Sequence, residues 1–262
     1  MVDSNDVLHP LVPTPVDVLG IPVHPVSPRE LVATMVAWGN GTSTRRVYNV
    51  NVHAMNLACR EADFRAALQR ADLVFCDGFG VKWGASLLGH ELPHRMTPPD
   101  WIDDFAAATA RAGQSVYALG DESGVAASFQ DLLTQRHPGY RSAGSHHGFF
   151  DREGPENEHV VAQINASGAT HLLVGLGMPL QERWLEANAS QLQPRVLVPV
   201  GALFRWYAGV EQRAPRWMTD RGLEWLARFL RHPVRHFRRY AVGNPLFLSR
   251  VLAARVRGGK HG

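Results

Sequence analysis

Cysteine is scarce. Cys59 and Cys76 are the only two in 262 residues. They form neither a disulfide framework nor a metal-ligand spacing, so both are expected to pack in the core, and a reducing compartment suits them. No stretch of about 18 uninterrupted apolar residues occurs, which argues against a membrane-spanning helix. The first 28 residues carry Asp3, Asp6 and Asp17 and several prolines, and lack the basic start and apolar run of a signal peptide. No Asp-x-Asp pair is present, and Asp103-Asp104 falls within a helical stretch where adjacent residues face different ways. A divalent cation held by paired carboxylates is therefore not expected, and neither is any other metal or cofactor. The thirteen histidines, His146-His147 included, show no zinc spacing. Lysine is nearly absent too: Lys82 and Lys260 stand alone among 27 basic residues.

The net charge of +3 is unevenly placed. From Arg205 onward there are 13 Lys+Arg against Glu211, Asp220 and Glu224, a balance of +10, which leaves −7 for residues 1–204. An acidic body with an arginine-rich tail points to an anionic partner for the tail. Arginine forks suit bidentate phosphate binding.

Short apolar runs at 47–50, 73–76, 116–119, 172–176 and 196–200 alternate with helical stretches at 52–70, 101–112, 125–135, 158–166 and 181–192. This alternation predicts an α/β fold with a parallel sheet and helices on both faces. Residues 16–23 read as a β-ribbon, and Ser27 with Glu30 as a capping box for a helix through Trp38. Past Ala208 the chain turns basic and amphipathic, and Pro233 is expected to break the helix there. The expected division is a core of 1–208 and a helical appendage of 209–262.

In a parallel sheet, ligands gather where strands end. Every apolar run here ends in glycine or a small polar residue: Asn51 and His53 after Asn49; Gly78 after Asp77; Gly120 before Asp121; Gly177, Gln181 and Glu182; and Gly201. Such turns aim backbone N–H groups and helix N-termini at an anion. Asp77 at a strand end is placed to take a proton from a hydroxyl, although Asp-Gly is equally a turn signal. Asp121 reads as a turn residue. Gly175-Leu-Gly177 fails as a dinucleotide fingerprint, because Leu180 stands where the third glycine belongs.

Several stretches occur in an order that resembles the WecG/TagA/CpsF glycosyltransferase family. They are Asn49-Val-Asn51, Asp77-Gly78-Phe79-Gly80-Val81, Leu88-Gly89 followed by Arg95, Gly148-Phe149-Phe150, Gly175-Leu-Gly177-Met-Pro179-Leu-Gln181-Glu182-x-Trp184, and Arg213-Ala-Pro215-x-Trp217. The resemblance covers about 18–240. It implies a Rossmann-like core and an inverting, metal-independent transfer from a UDP-sugar to a sugar on a polyprenyl diphosphate. It assigns Asp77 as the base and places Arg95 and Gln181 in the catalytic group. Asn49, Asn51, His53, Gly78, Gly120, Gly177, Glu182, Gly201, Arg213 and Arg228 become expected substrate contacts. Family members transfer N-acetylmannosamine or its uronic acid, or serve exopolysaccharide assembly, including a branch that transfers glucose.

Three departures from the family pattern, Asn49, Leu180 and Pro98, lie near the donor or acceptor sugar. They tilt the expectation toward the exopolysaccharide branch and a glucosyl donor, with N-acetylmannosamine or its uronic acid as the alternative. The basic appendage implies peripheral attachment to the anionic inner face of the cell membrane. A nucleic-acid partner is not expected, because it leaves Asp77 and Gln181 without a role. A non-catalytic nucleotide-sugar or nucleic-acid binding protein is the alternative of another class, and a homo-oligomer is compatible with the sequence.

Overall fold

A computed structural model describes residues 12–258 apart from 220 and 232; the side chains of residues 216, 224, 228, 235, 236 and 258 also lie outside the described set. The chain opens with an antiparallel ribbon, β1 (Val16–Val18) and β2 (Ile21–Val23). Helix α1 (Pro28–Gly39) follows, its start fixed by the Ser27–Glu30 capping box and a proline in the first turn. Then come β3 (Arg45–Val50), α2 (Val52–Ala58), α3 (Ala62–Arg70), β4 (Leu73–Cys76), α4 (Phe79–Leu87) and α5 (Pro98–Arg111). The second half runs β5 (Ser115–Gly120), α6 (Val125–Arg136), β6 (Arg141–His146), α7 (Gly154–Ala166), β7 (His171–Gly175), α8 (Leu180–Asn188), β8 (Val196–Pro199) and α9 (Leu203–Tyr207).

Six strands form one parallel sheet in the order β4-β3-β8-β7-β5-β6. Alternation along the strands divides the core. Tyr48, Val50, Leu172, Val174 and Leu197 face a cluster with α2, α3, α4, α7 and α8. Val47, Leu173, Val196 and Val198 face the opposite cluster, with α1, α5, α6 and α9. The expected α/β fold with helices on both faces is the one observed.

Three local expectations need correction. The stretch 52–70 is two helices, broken between Ala58 and Ala62. One continuous helix of that length would run about 28 Å, overshooting the four-residue β4 that it must lead into. Strand β6 went unread because Arg-Ser-Ala-Gly-Ser-His has no apolar run; it is a border strand whose side chains are exposed or half-buried. Cys59 caps the C-terminus of α2 and is exposed, so only Cys76 packs in the core.

Beyond residue 208 come α10 (Arg216–Thr219), α11 (Glu224–Arg231), α12 (Pro233–Phe237), a π-helical turn (Arg238–Val242) and α13 (Gly243–Gly258). Pro233 opens α12, as expected of a residue that cannot continue a helix. The last helix packs against α2 and α4. Phe247 and Val251 are buried with the core, and Asn56 donates to the Gly243 carbonyl at 2.7 Å.

Candidate active site

The carboxyl ends of the strands share one edge. Parallel neighbours lie about 4.8 Å apart, so the ends of β4 and β7, three places apart, are about 14 Å apart. Asp77 leaves β4 with its backbone N–H bonded to the Val50 carbonyl at 2.8 Å. Its side chain is half-buried. Asn51 caps α2 through Oδ1, which accepts from the Ala54 N–H at 3.1 Å, and its Nδ2 lies 3.4 Å from Asp77 Oδ2. One amide thus starts a helix and steadies the carboxylate. Gly78 follows at φ +114°, where a Cβ would be strained, and the space beside it is open.

Arg95 reaches this corner through the backbone. The Met96 N–H donates to the Cys76 carbonyl at 2.9 Å, laying the segment alongside the outer edge of β4. The Arg95 guanidinium then stands 5.2 Å from the Phe79 ring centroid. It pairs with Asp100 at 2.9 Å and donates to the Thr219 carbonyl at 3.1 Å. Arg213 meets the same carboxylate at 2.7 Å and the Thr97 hydroxyl at 2.8 Å. Burial would raise the Asp100 pKa, but the Thr97 N–H, Arg213 and Arg95 together hold it below the ordinary carboxylate value.

A second cluster lies at the ends of β7 and β8. The Gln181 side chain is buried; its Oε1 accepts from the Gly201 N–H at 3.1 Å and its Nε2 donates to Glu182 Oε1 at 2.9 Å. Glu182 is wholly buried, and its Oε2 has no hydrogen-bond partner. Burial pushes its pKa up to about 7. Gly120 abuts the neighbouring strand so closely that a Cβ there would come 2.4 Å from the Gly175 carbonyl oxygen. Gly177 and Gly201 border open space.

Asn49 is buried and donates to the Pro199 carbonyl at 3.0 Å, joining β3 to β8. His53 sits in the first turn of α2, where burial, with Arg239 and Arg60 nearby, pushes its pKa down to about 4. Asp121 has φ +60° and pairs with Arg205 at 2.7 Å, in keeping with a turn. Arg228 lies on α11, and its side chain is outside the described residues. Among the described residues no group of three or more His, Cys, Asp or Glu is arranged to hold a metal ion. Sequence reasoning passed over Thr97 and Asp100. Their signal was present: a Thr-x-x-Asp box around two prolines, just after Arg95.

The structure thus brings the expected residues into two groups, Asn51–Asp77–Gly78 and Gln181–Glu182–Gly201. Arg95 and Arg213 are drawn together through Asp100. An open parallel sheet with a half-buried carboxylate, two arginines and glycine turns at its carboxyl edge is an α/β architecture whose ligands gather at that edge. The chain belongs to the glycosyl transferase WecG/TagA/CpsF family, whose model matches residues 16–261. It is similar to the N-acetylglucosaminyldiphosphoundecaprenol N-acetyl-β-D-mannosaminyltransferases of Staphylococcus aureus strains MRSA252, MW2 and NCTC 8325. Each is 27% identical over 242 residues, covering 92% of this chain and 93% of the relative. These relatives favour the mannosaminyl alternative over the glucosyl expectation.

Proposed function

We propose that the protein transfers an N-acetylmannosaminyl unit from its UDP-sugar to N-acetylglucosamine carried on a polyprenyl diphosphate. The acceptor hydroxyl loses its proton to Asp77, and its oxygen attacks the anomeric carbon. The bond from that carbon to the diphosphate breaks, UDP departs from the opposite face, and the anomeric configuration inverts. Arg95 and Arg213 supply positive charge as the leaving group develops its negative charge. The turns at Gly120 and Gly177 lie along the same edge, and Gln181 takes up the Gly201 N–H and so fixes the third turn. His53 is neutral at working pH and lines the site without acting as a cation. The observation that carries this reading is the half-buried Asp77 carboxylate, set beside Asn51 at the end of β4 and fronted by open space at Gly78.

The acceptor is a membrane lipid, so the protein works at the inner face of the cell membrane. Trp217, Leu230, Val234 and Phe237 are exposed among arginines in the C-terminal part, a composition suited to an anionic lipid surface. The deciding experiment supplies purified protein with a panel of UDP-sugars and with diphosphate-lipid acceptors ending in N-acetylglucosamine or in glucose. Transfer from UDP-N-acetylmannosamine to the N-acetylglucosamine acceptor is expected. Exclusive use of UDP-glucose on the glucose acceptor would overturn the reading.

A further inference from the structure

Asp100 is the one described carboxylate that touches both Arg95 and Arg213. Its two oxygens are divided between them: Oδ2 accepts from Arg95 Nη1 and Oδ1 from Arg213 Nη2. The Thr97 N–H at 2.9 Å and the Thr97 hydroxyl at 3.0 Å also engage Oδ2, which fixes the carboxylate to the first turn of α5. Arg213 belongs to the C-terminal part, whereas Arg95 and Asp100 belong to the sheet domain. Arg95 adds a second tie through the Thr219 carbonyl. Its guanidinium covers Phe79, and Gly222 lies against the same ring so closely that a Cβ there would come within 2.6 Å of it. The segment from Arg213 to Gly222 is thereby seated over the first turn of α4, directly after Asp77 and Gly78. Without the carboxylate the two cations would repel each other, and the segment would lose one of its ties to the sheet domain.

We infer that Asp100 is a positioning residue that latches the C-terminal segment to the sheet domain and keeps Arg95 and Arg213 together for a diphosphate. The latch stands on the geometry alone, whereas the diphosphate rests on the transferase reading above. A purely structural role, capping α5, is separable from it. Asparagine at 100 can still accept the Thr97 N–H, but it carries no charge for the arginines.

The test uses the full chain with Asp100→Asn, and Arg213→Gln as a second variant that leaves the α5 cap intact. UDP affinity is measured by calorimetry, and hydrogen exchange is followed at the amides of Met218, Thr219, Gly222 and Leu223, all hydrogen-bonded within the segment. Each variant is expected to weaken UDP binding about tenfold and to speed exchange at those amides at least tenfold. Circular dichroism should show the same helix content as the native protein. Exchange at those amides in the double variant should be no faster than in the faster single one, because both remove the same link. UDP affinity within twofold of native in both variants, with unchanged exchange, would overturn the inference. A native protein that binds no UDP would instead sink the transferase reading and the diphosphate half of this inference; the exchange rates would then judge the latch by themselves.

Discussion

At the scale of single residues, two carboxyls sit in contrasting surroundings. Asp77 is half-buried and lies beside Asn51, and the proposed function makes it the base. Replacing it by asparagine keeps the volume and is expected to lower turnover by roughly two to four powers of ten, the range of a positioned general base. Turnover within threefold of native would reject that role. Glu182 is the contrast. Its carboxyl is wholly buried and ionises at about 7, against an ordinary value of 4.5. Between those values the unfolded chain gives up the proton while the folded chain keeps it. Stability therefore falls as pH rises through that window, by up to about 3 kcal/mol, and levels off above it. Glu182→Gln should flatten the dependence between pH 5 and 7, as read from urea melts at several pH values. An unchanged slope would show that another group sets it.

At the scale of elements, the strands and helices whose apolar residues recur with a clear period were legible. Runs such as Leu-Val-Phe-Cys at β4 coincide with the observed strand, and Ser27 with Glu30 marked the start of α1. Strand β6 escaped because a border strand needs no apolar face, and α4 because glycines dilute its pattern. The site was legible as a set of strand ends. Its pairing was not, because the contacts of Asp100 with Arg213 and of Gln181 with Gly201 join residues distant in sequence. Element α12 offers its own prediction. Val234 is 93% exposed and Phe237 55% exposed on this short helix. Changing both to aspartate should cut co-sedimentation with phosphatidylglycerol vesicles several-fold, since apolar contact and charge attraction are both weakened. Undiminished binding would remove α12 from the lipid-facing surface.

At the scale of the whole molecule, the basic C-terminal part is not a detachable tail. A truncation that removed everything from residue 228 onward would strip α13 from α2 and α4, so it would not leave the core intact. Phe247, 4% exposed, fits against Gly84, where a Cβ would come 2.6 Å from its ring. Phe247→Ala is expected to destabilise the protein by about 3–5 kcal/mol. Urea unfolding followed by both tryptophan fluorescence and circular dichroism should report one shifted transition. A separate early transition, with the main one unmoved, would mean that α13 melts independently.

The two borders of the sheet are unequal. Along β4, the His24 and Met96 backbones already occupy main-chain groups of Val74 and Cys76. Strand β6 has no such cover among the described residues. Any main-chain stitching between two copies is therefore steered to β6. Two identical borders joined face to face exhaust each other and close as a pair. With the β4 margin covered, the six-stranded sheet has no second uncovered border among the described residues.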